Sequence, residues 1–327
     1  MLALLAVGGV LLILWLDKPS PEAPPPAAPV SGGVVFEPKE GAVVAVADHD
    51  GRVFFLHATF ANDPSCEPKC YESELRELGV RGGTKLGNAG GEPTTLAASN
   101  THATWGRSGL WDLQPLAGGE RKPLSTGGER AALDATHAYF AGRELSRIAL
   151  DTGKSELLVG SASAVDVGID NLSVYYLEPG ARTLWRMLKQ GGARTPIAKE
   201  LDGIVRLSVG KGRVYVAARG KPPSTQGTIW DIAADGTDRK ELAKFEGDPV
   251  ALDSASGKVD WIVYKPGSQA VLYTAAAGSP ARELRKFDAP VLKGSGDSKR
   301  ELAPDVASTE RFVYVTSAGG LLQIERR

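Results

Sequence analysis

The chain has 327 residues, 42% of them hydrophobic, which is enough to bury the core of two ordinary domains or of one large repetitive β domain. Its 38 Lys and Arg against 39 Asp and Glu give a formal net charge of −1, so it lacks the basic field of a nucleic-acid-binding protein. The 39 Gly and 21 Pro are scattered along the chain and favour many short strands joined by turns over long helices.

The chain begins with an uncharged apolar segment, residues 2–16, which ends at Asp17 and Lys18. As a helix it would span roughly 22 Å, less than the hydrocarbon core of a bilayer, which is about 30 Å thick. The basic residue and the small-residue cleavage site of a signal peptide are missing around it. We therefore interpret residues 1–18 as an uncleaved membrane anchor. A cleaved signal, a buried helix and a start upstream of Met1 stay open.

Residues 19–32 form a Pro- and Ala-rich linker, in which six of the eleven residues 19–29 are proline. This composition cannot bury a core and prefers the extended polyproline II conformation. At about 3.1 Å per residue, it would hold the following domain about 30 Å from the membrane.

A short phrase that ends in aromatic or β-branched residues recurs seven times after the linker. The copies begin 35 to 54 residues apart and occupy residues 52–55, 102–105, 137–140, 173–176, 213–216, 258–261 and 312–315. An apolar strand precedes each phrase, another strand follows it, and a turn then leads to a fourth segment. Four strands repeated about every 40 residues are typical of the blades of a β-propeller.

Three copies place a tryptophan on the third strand beside an aliphatic residue: Leu110–Trp111, Leu184–Trp185 and Ile229–Trp230. Neighbouring residues of a strand face opposite sides of the sheet, so both faces of this strand are expected to be apolar. Stacked blades require two apolar faces. We therefore expect these tryptophans to pack between blades rather than to form a ligand cage.

The last copy ends at its third strand, residues 321–324, whereas residues 34–36 form an additional strand-like segment before the first copy. Pairing these two segments would supply the missing outer strand, close the ring and remove an open sheet edge. We predict an all-β fold, a seven-bladed β-propeller over residues 33–327, with six or eight blades as the alternative.

The segments that best display the repeat are residues 136–140, 171–176 and 184–192. They resemble the repeats of bacterial extracytoplasmic propellers, in particular the YWTD, NHL and TolB-like groups. That resemblance implies protein or peptide binding and scaffold roles more often than catalysis. With the anchor, it implies a single-pass protein of the bacterial inner membrane whose propeller lies in the periplasm or outside the cell. Residues 149–154 are also similar to a quinoprotein-type repeat, but the other six copies lack it, so no quinone cofactor is inferred.

The two cysteines, Cys66 and Cys70, lie in an insertion after the second strand of the first blade. Two thiolates alone cannot complete a structural zinc site, and the sequence nearby offers no pair of histidine ligands. For an exported domain we expect a disulfide that closes this loop. Free thiols and a metal or redox role stay open.

The sequence contains no nucleophile elbow, phosphate-binding loop or zinc-protease motif. His102 and His137 recur at the same turn of two repeats and are expected to shape it. Residues 48–51 resemble the start of a calcium loop but lack the glutamate it needs, so a turn is expected. The glycine-rich residues 79–91 and 294–296 are expected to be loops. We predict no enzyme, no cofactor and no metal, although a catalytic set drawn from several blades would leave no spacing signal.

Long connections identify the expected binding face, because loops from second to third strands and from blade to blade share one side of a propeller. Residues 57–73, 219–227 and 288–304 fall on that side, whereas residues 79–91 and the start of segment 34–36 fall on the other. We predict a docking platform with Tyr71, Arg219, Lys221 and Lys293 as exposed partner-binding residues.

The function predicted from sequence is a membrane-tethered extracytoplasmic scaffold that binds a protein or a peptide. The sensor domain of a signalling receptor is the alternative, and a propeller hydrolase or lyase is a weaker one that would need carboxylates or histidines converging at the axis.

Overall fold

A computed structural model describes residues 32–60, 71–79, 82–90, 93–107, 110–126, 128–221, 224–293 and 299–326. The predicted anchor, nearly all of the linker, Cys66 and Cys70 lie outside these residues. Every regular element in the described part is a β-strand. Among these residues, no helix has the length and apolar character needed to cross a bilayer.

The described residues contain thirty strands, which form seven four-stranded antiparallel sheets and one hairpin and confirm the predicted seven-bladed propeller. Blades 1 to 3 consist of β2 (Ala42–His49), β3 (Arg52–Phe60), β4 (Tyr71–Gly79) and β5 (Gly82–Asn88); β6 (Thr95–Ala98), β7 (His102–Arg107), β8 (Leu110–Pro115) and β9 (Lys122–Ser125); and β10 (Gly128–Leu133), β11 (His137–Gly142), β12 (Leu145–Ala149) and β13 (Ser155–Val159).

Blades 4 to 6 repeat the same order of strands. They consist of β14 (Asp166–Ile169), β15 (Ser173–Glu178), β16 (Thr183–Leu188) and β17 (Thr195–Ala198); β18 (Ile204–Gly210), β19 (Arg213–Ala218), β20 (Gln226–Ala233) and β21 (Arg239–Glu246); and β22 (Pro249–Ala255), β23 (Lys258–Val263), β24 (Ala270–Ala276) and β25 (Arg282–Phe287). The hairpin β26 (Val291–Lys293) and β27 (Lys299–Glu301) then precedes blade 7.

Blade 7 is assembled from both ends of the described chain, as the sequence predicts. It contains β28 (Val306–Ser308), β29 (Phe312–Ser317), β30 (Gly320–Glu325) and, as its outer strand, β1 (Gly32–Phe36). Val34 lies opposite Leu322, and Phe36 lies opposite Leu321. Gly320 has a φ of +109°, and a Cβ there would collide with the Phe36 carbonyl oxygen. Glycine therefore lets β1 approach the last turn of the chain and close the ring.

The blades are held together by apolar side chains from adjacent sheets. Trp111 of blade 2 meets Phe140 of blade 3 edge to face at 5.2 Å between ring centroids, as predicted for packing between blades. Trp185 and Trp230 are half-buried, and the guanidinium groups of Arg194 and Arg239 cover their rings. These tryptophans therefore form no shared cage.

Both faces of the third strand carry apolar residues, as expected, but Leu110 is not packed against a neighbouring blade. This side chain is 70% exposed because it is the first residue of β8, at the rim of the blade and beyond its neighbours. The equivalent residues of blades 4 and 5, Leu184 and Ile229, are fully buried.

The glycine-rich residues 79–91 are not simply a loop, because most of them form β5, the outer strand of blade 1. A Cβ on Gly83 would collide with the Phe55 ring, whose Cε1 lies 2.9 Å from the Cβ position. Glycine in this strand thus allows a large aromatic side chain to pack against its backbone. The prediction of a loop weighed glycine content and missed this packing.

The predicted turn roles of the histidines are confirmed. Nδ1 of His102 lies 3.0 Å from the Thr101 hydroxyl, and Nδ1 of His137 lies 2.9 Å from the Thr136 hydroxyl. Of the predicted turn at residues 48–51, Asp50 and Gly51 form the turn between β2 and β3, with φ values of 50° and 78°, whereas the first two residues end β2.

The connection between blades 6 and 7 forms a pinned hairpin rather than an open loop. Leu292 is fully buried in the core cluster that contains Phe54 and Leu56 of blade 1. On the other side, the Gly267 amide of blade 6 donates to the Glu301 carboxylate at 2.9 Å. The hairpin therefore crosses the seam where the ring closes. We call the side of the propeller that carries this hairpin and the second-to-third-strand connections the upper face.

Candidate binding site at the propeller axis

Four charged side chains lie at one repeat position of different blades, three on the innermost strands and Asp305 directly before β28. Arg130, Asp166, Arg206 and Asp305 each precede the second residue of the aromatic phrase of their own blade by eight residues. In the sheets, Arg130 pairs with Ala141, Asp166 with Leu177 and Arg206 with Ala217. The innermost strands surround the axis, so this shared position places the four charges around one channel.

Both carboxylates in this ring accept hydrogen bonds from backbone amides. Asp166 accepts from the amide of Val167 at 3.0 Å and from that of Leu207, in the next blade, at 2.9 Å. Asp305 accepts from the amide of Val306 at 3.0 Å and from that of Val46, in blade 1, at 3.2 Å. Each aspartate thus joins its own innermost strand to that of the next blade around the ring.

The two arginines of the ring differ in how they are held. Arg206 donates from Nε to the Val250 carbonyl of blade 6 at 2.9 Å and from Nη1 to the Val205 carbonyl at 2.8 Å. Arg130 is half-buried, and within the described part of the chain its guanidinium makes no hydrogen bond or ion pair. The five N–H donors of Arg130 therefore have no acceptor among the described residues.

The charges influence one another because they share a poorly solvated space. Burial raises the pKa of Asp166 and of Asp305, and the positive charges of Arg130 and Arg206 oppose that rise. Burial and the nearby positive charge of Arg130 together lower the pKa of Arg206 to about 10, although the negative charges of Asp166 and Asp305 oppose this shift. The ring thus combines two arginines with two aspartates, and among the described residues Arg130 is the member without a hydrogen-bonded partner.

Two neighbouring cavities lie along the channel and share three lining residues. The inner cavity, about 270 Å³, extends along the innermost strands, and the outer cavity, about 700 Å³, opens on the upper face. Thr95, Arg130 and Arg206 line both cavities, and we call these residues the neck. We call the outer cavity the mouth; its volume lies in the range of ligand-binding pockets.

The rim of the mouth is built from the connections that the sequence assigns to the upper face. Pro179 and Arg219 come from the second-to-third-strand connections of blades 4 and 5, and Arg300 and Glu301 come from hairpin β26–β27. Proline and aliphatic side chains complete the wall: Pro93, Val165, Ile204, Val205 and Leu302.

The four predicted partner-binding residues differ in their exposure and in their distance from the mouth. Arg219 is exposed at the mouth and pairs through Nε with Asp248 at 3.1 Å, and Lys221 is exposed nearby. Lys293 belongs to β26, but its side chain lies outside the described part of the structure. The expectation that Tyr71 is exposed is wrong: it is 7% exposed, because its ring packs edge to face on Phe60 at 5.9 Å.

A second pair of acids lies in the inner cavity, nearer the side of the propeller opposite to the upper face, which we call the lower face. Asp48 of blade 1 and Asp253 of blade 6 lie within hydrogen-bonding reach of each other. Burial raises the pKa of Asp48 to about 6 and raises that of Asp253 well above its usual value. Two carboxyl groups this close also disfavour each other's ionisation. Across the described residues, no three His, Cys, Asp or Glu side chains converge as metal ligands would.

The four residues of the charged ring were not among those predicted from the sequence, although a signal for them exists. The spacing from Arg130 to Asp166 to Arg206 equals the spacing of the aromatic phrases that follow them, at Ala138, Val174 and Val214. A charge that recurs at the repeat spacing inside an otherwise apolar strand indicates a position that faces an axial channel rather than a neighbouring blade.

Comparisons with known proteins support the propeller fold of this chain but do not assign its function. Neither protein-family profiles nor curated protein sequences match the chain. Among solved structures, a nidogen/laminin complex contains a chain that is 16% identical, with a TM-score of 0.51, covering 66% of this chain and 85% of that one. Streptogramin B lyase is 11% identical, with a TM-score of 0.59 and coverages of 89% and 96%.

The WD40 propeller domain of Doa1 is likewise 11% identical, with a TM-score of 0.58, covering 91% of this chain and 96% of that domain. At these identities the likeness shows the fold alone. It confirms the resemblance to propeller repeats. Because the similar structures include a chain of a protein complex and a lyase, the fold does not distinguish binding from catalysis.

Proposed function

We propose that this chain is a protein- or peptide-binding propeller scaffold, tethered by residues 1–18 to the bacterial inner membrane with the propeller outside the cytoplasm. One observation carries the binding role: the mouth of the axial cavity and the pinned hairpin β26–β27 occupy the same face. A rigid scaffold that gathers its longest connections around a cavity is a common arrangement for recognition. The nidogen/laminin complex provides a propeller of similar fold in a protein assembly.

The position of β1 supports a geometry for the tether. Gly32 lies opposite Ile324, and Phe36 opposite Leu321, so β1 begins near the lower face and runs towards the upper face. A linker that precedes Gly32 would leave from the lower face. The upper face, with its mouth, would then point away from the membrane and towards a partner.

Site-specific photocrosslinking tests the binding face. The full chain carries p-benzoylphenylalanine in place of exposed Lys221 on the upper face or, as the matched control, in place of exposed Lys154 in a lower-face turn. We expect discrete partner adducts from position 221 and none from position 154. Equal adduct patterns, or none from position 221, would contradict a binding role for the upper face.

Labelling of spheroplasts tests the location in the same cells. A membrane-impermeant amine reagent is expected to modify the propeller lysines without permeabilisation, and removal of residues 1–18 is expected to release the protein from the membrane fraction. Labelling that requires permeabilised cells would contradict the proposed orientation.

A further inference from the structure

We propose that the neck of the axial channel, Arg130 with Arg206, binds the carboxylate of an acidic side chain that a peptide segment of the partner inserts through the mouth. This inference rests on the proposed function and names the chemistry of the ligand. It assigns Arg130 as the residue that contacts the carboxylate and Arg206 as its support.

The first observation that supports a carboxylate ligand is that Arg130 has N–H donors without a protein acceptor among the described residues. A planar guanidinium presents a fixed fork of N–H donors that matches the two oxygens of a carboxylate. In the described residues nothing accepts from Arg130, although the side chain is half-buried and lines both cavities. A buried structural arginine normally has acceptors, as Arg206 does at the Val250 and Val205 carbonyls.

The neighbouring acids do not neutralise Arg130 by direct contact. All four carboxylate oxygens of Asp166 and Asp305 accept backbone amides instead, at 2.9–3.2 Å. These acids join blades, and neither of them is a hydrogen-bond acceptor for Arg130. Their presence also limits the charge that the neck tolerates, since a doubly charged phosphate would meet stronger repulsion than a singly charged carboxylate.

The shape of the channel favours a carboxylate that is attached to a chain. The neck opens outward into a mouth of about 700 Å³, whose wall contains Pro93, Pro179, Ile204 and Leu302. An extended peptide can bury apolar atoms against this wall while one acidic side chain reaches the neck. A free diacid would leave most of the mouth unfilled.

Selection from a random seven-residue peptide library displayed on phage tests the proposal with the purified full chain. We expect at least about fivefold enrichment of Asp or Glu at one position. A selected peptide should bind about tenfold more weakly to Arg130→Gln, the loss expected for one charged hydrogen-bonded pair. Arg130→Lys should recover only part of the binding, because it restores the charge without the fork.

Arg143→Gln is the matched control, since Arg143 is exposed on a second-to-third-strand turn and lines neither cavity. It removes the same charge and should leave selection unchanged. Near-ultraviolet circular dichroism checks that the Arg130 variants are folded. No acidic enrichment, equal enrichment by folded Arg130→Gln, or binding of radiolabelled glutarate without selection of any acidic peptide would overturn the proposal.

The outcome is separable from that of the proposed function. Partner adducts at position 221 that persist in Arg130→Gln, together with no acidic selection, would refute the neck site and leave the scaffold role standing. Selection of acidic peptides without partner adducts at position 221 would support the neck site and contradict the proposed binding role of the upper face.

Discussion

Replacing Asp260 by alanine is expected to lower the free energy of unfolding by about 3–5 kcal/mol, because it leaves a buried charge without its partner. Asp260 and Arg326 are 0% and 1% exposed at their side chains and form an ion pair. Ser308 Oγ also donates to Asp260 at 2.8 Å. Arg326 Nη1 donates to the carbonyls of Ala255 at 3.0 Å and Thr309 at 2.8 Å. The pair thereby joins blades 6 and 7 beside the seam.

Urea unfolding of the full chain measures this loss, with Asp238→Ala as the control. Asp238 pairs with Arg213 at 3.0 Å but is 53% exposed, so its removal is expected to cost less than about 1 kcal/mol. Similar losses of unfolding free energy for the two variants would show that the Asp260–Arg326 pair does not stabilise the contact between blades 6 and 7.

The second large effect is a pH dependence that Asp48→Asn should remove. Because burial raises the pKa of Asp48 from 3.8 to about 6, the folded protein holds its proton more tightly than the unfolded chain. The resulting stabilisation is complete below pH 3.8 and is lost as the pH rises through about 6. An asparagine keeps a donor towards Asp253 and has no charge to lose. Its advantage over the natural residue should therefore grow by about 2 kcal/mol between pH 4.5 and pH 7.5.

Free energies of unfolding of the natural chain and of Asp48→Asn, measured at pH 4.5 and pH 7.5, test whether the advantage of the asparagine grows with pH. Asp151→Asn is the control, because Asp151 is exposed in the turn between β12 and β13. It should show no growing difference. A stability gap for Asp48→Asn that stays constant or shrinks as the pH rises would contradict a protonated Asp48 in the folded state.

The repeat and its closure were predictable because both depend on local patterns. The aromatic phrases mark the second strands, since these are buried on both faces in all seven blades. The missing fourth strand of the last copy and the extra segment 34–36 leave one economical pairing, which the observed register of Val34 with Leu322 confirms.

The charged ring and the buried pair at the seam were not predicted, for a physical reason. Arg130 and Asp305 are far apart in sequence and acquire a shared role only when the innermost strands meet at the axis. Arg326 looks like part of an exposed charged end, yet folding places it beneath blades 6 and 7 next to Asp260. The prediction for Tyr71 was wrong in the opposite sense. The residue was expected to be exposed in a loop, but it is the first residue of β4 and is buried.

The central claim is that the two ends of the described chain pair to close the ring, and an engineered disulfide tests it most directly. Val34 and Leu322 are replaced by cysteine in a full chain that carries Cys66→Ser and Cys70→Ser. Directly paired antiparallel residues lie at the Cα separation that a disulfide needs. Val34→Cys with Leu188→Cys in blade 4 is the control. We predict an intramolecular bond for the 34–322 pair alone, seen by mass spectrometry of a non-reduced digest; its absence, or an equal yield in the control, would contradict the closed ring.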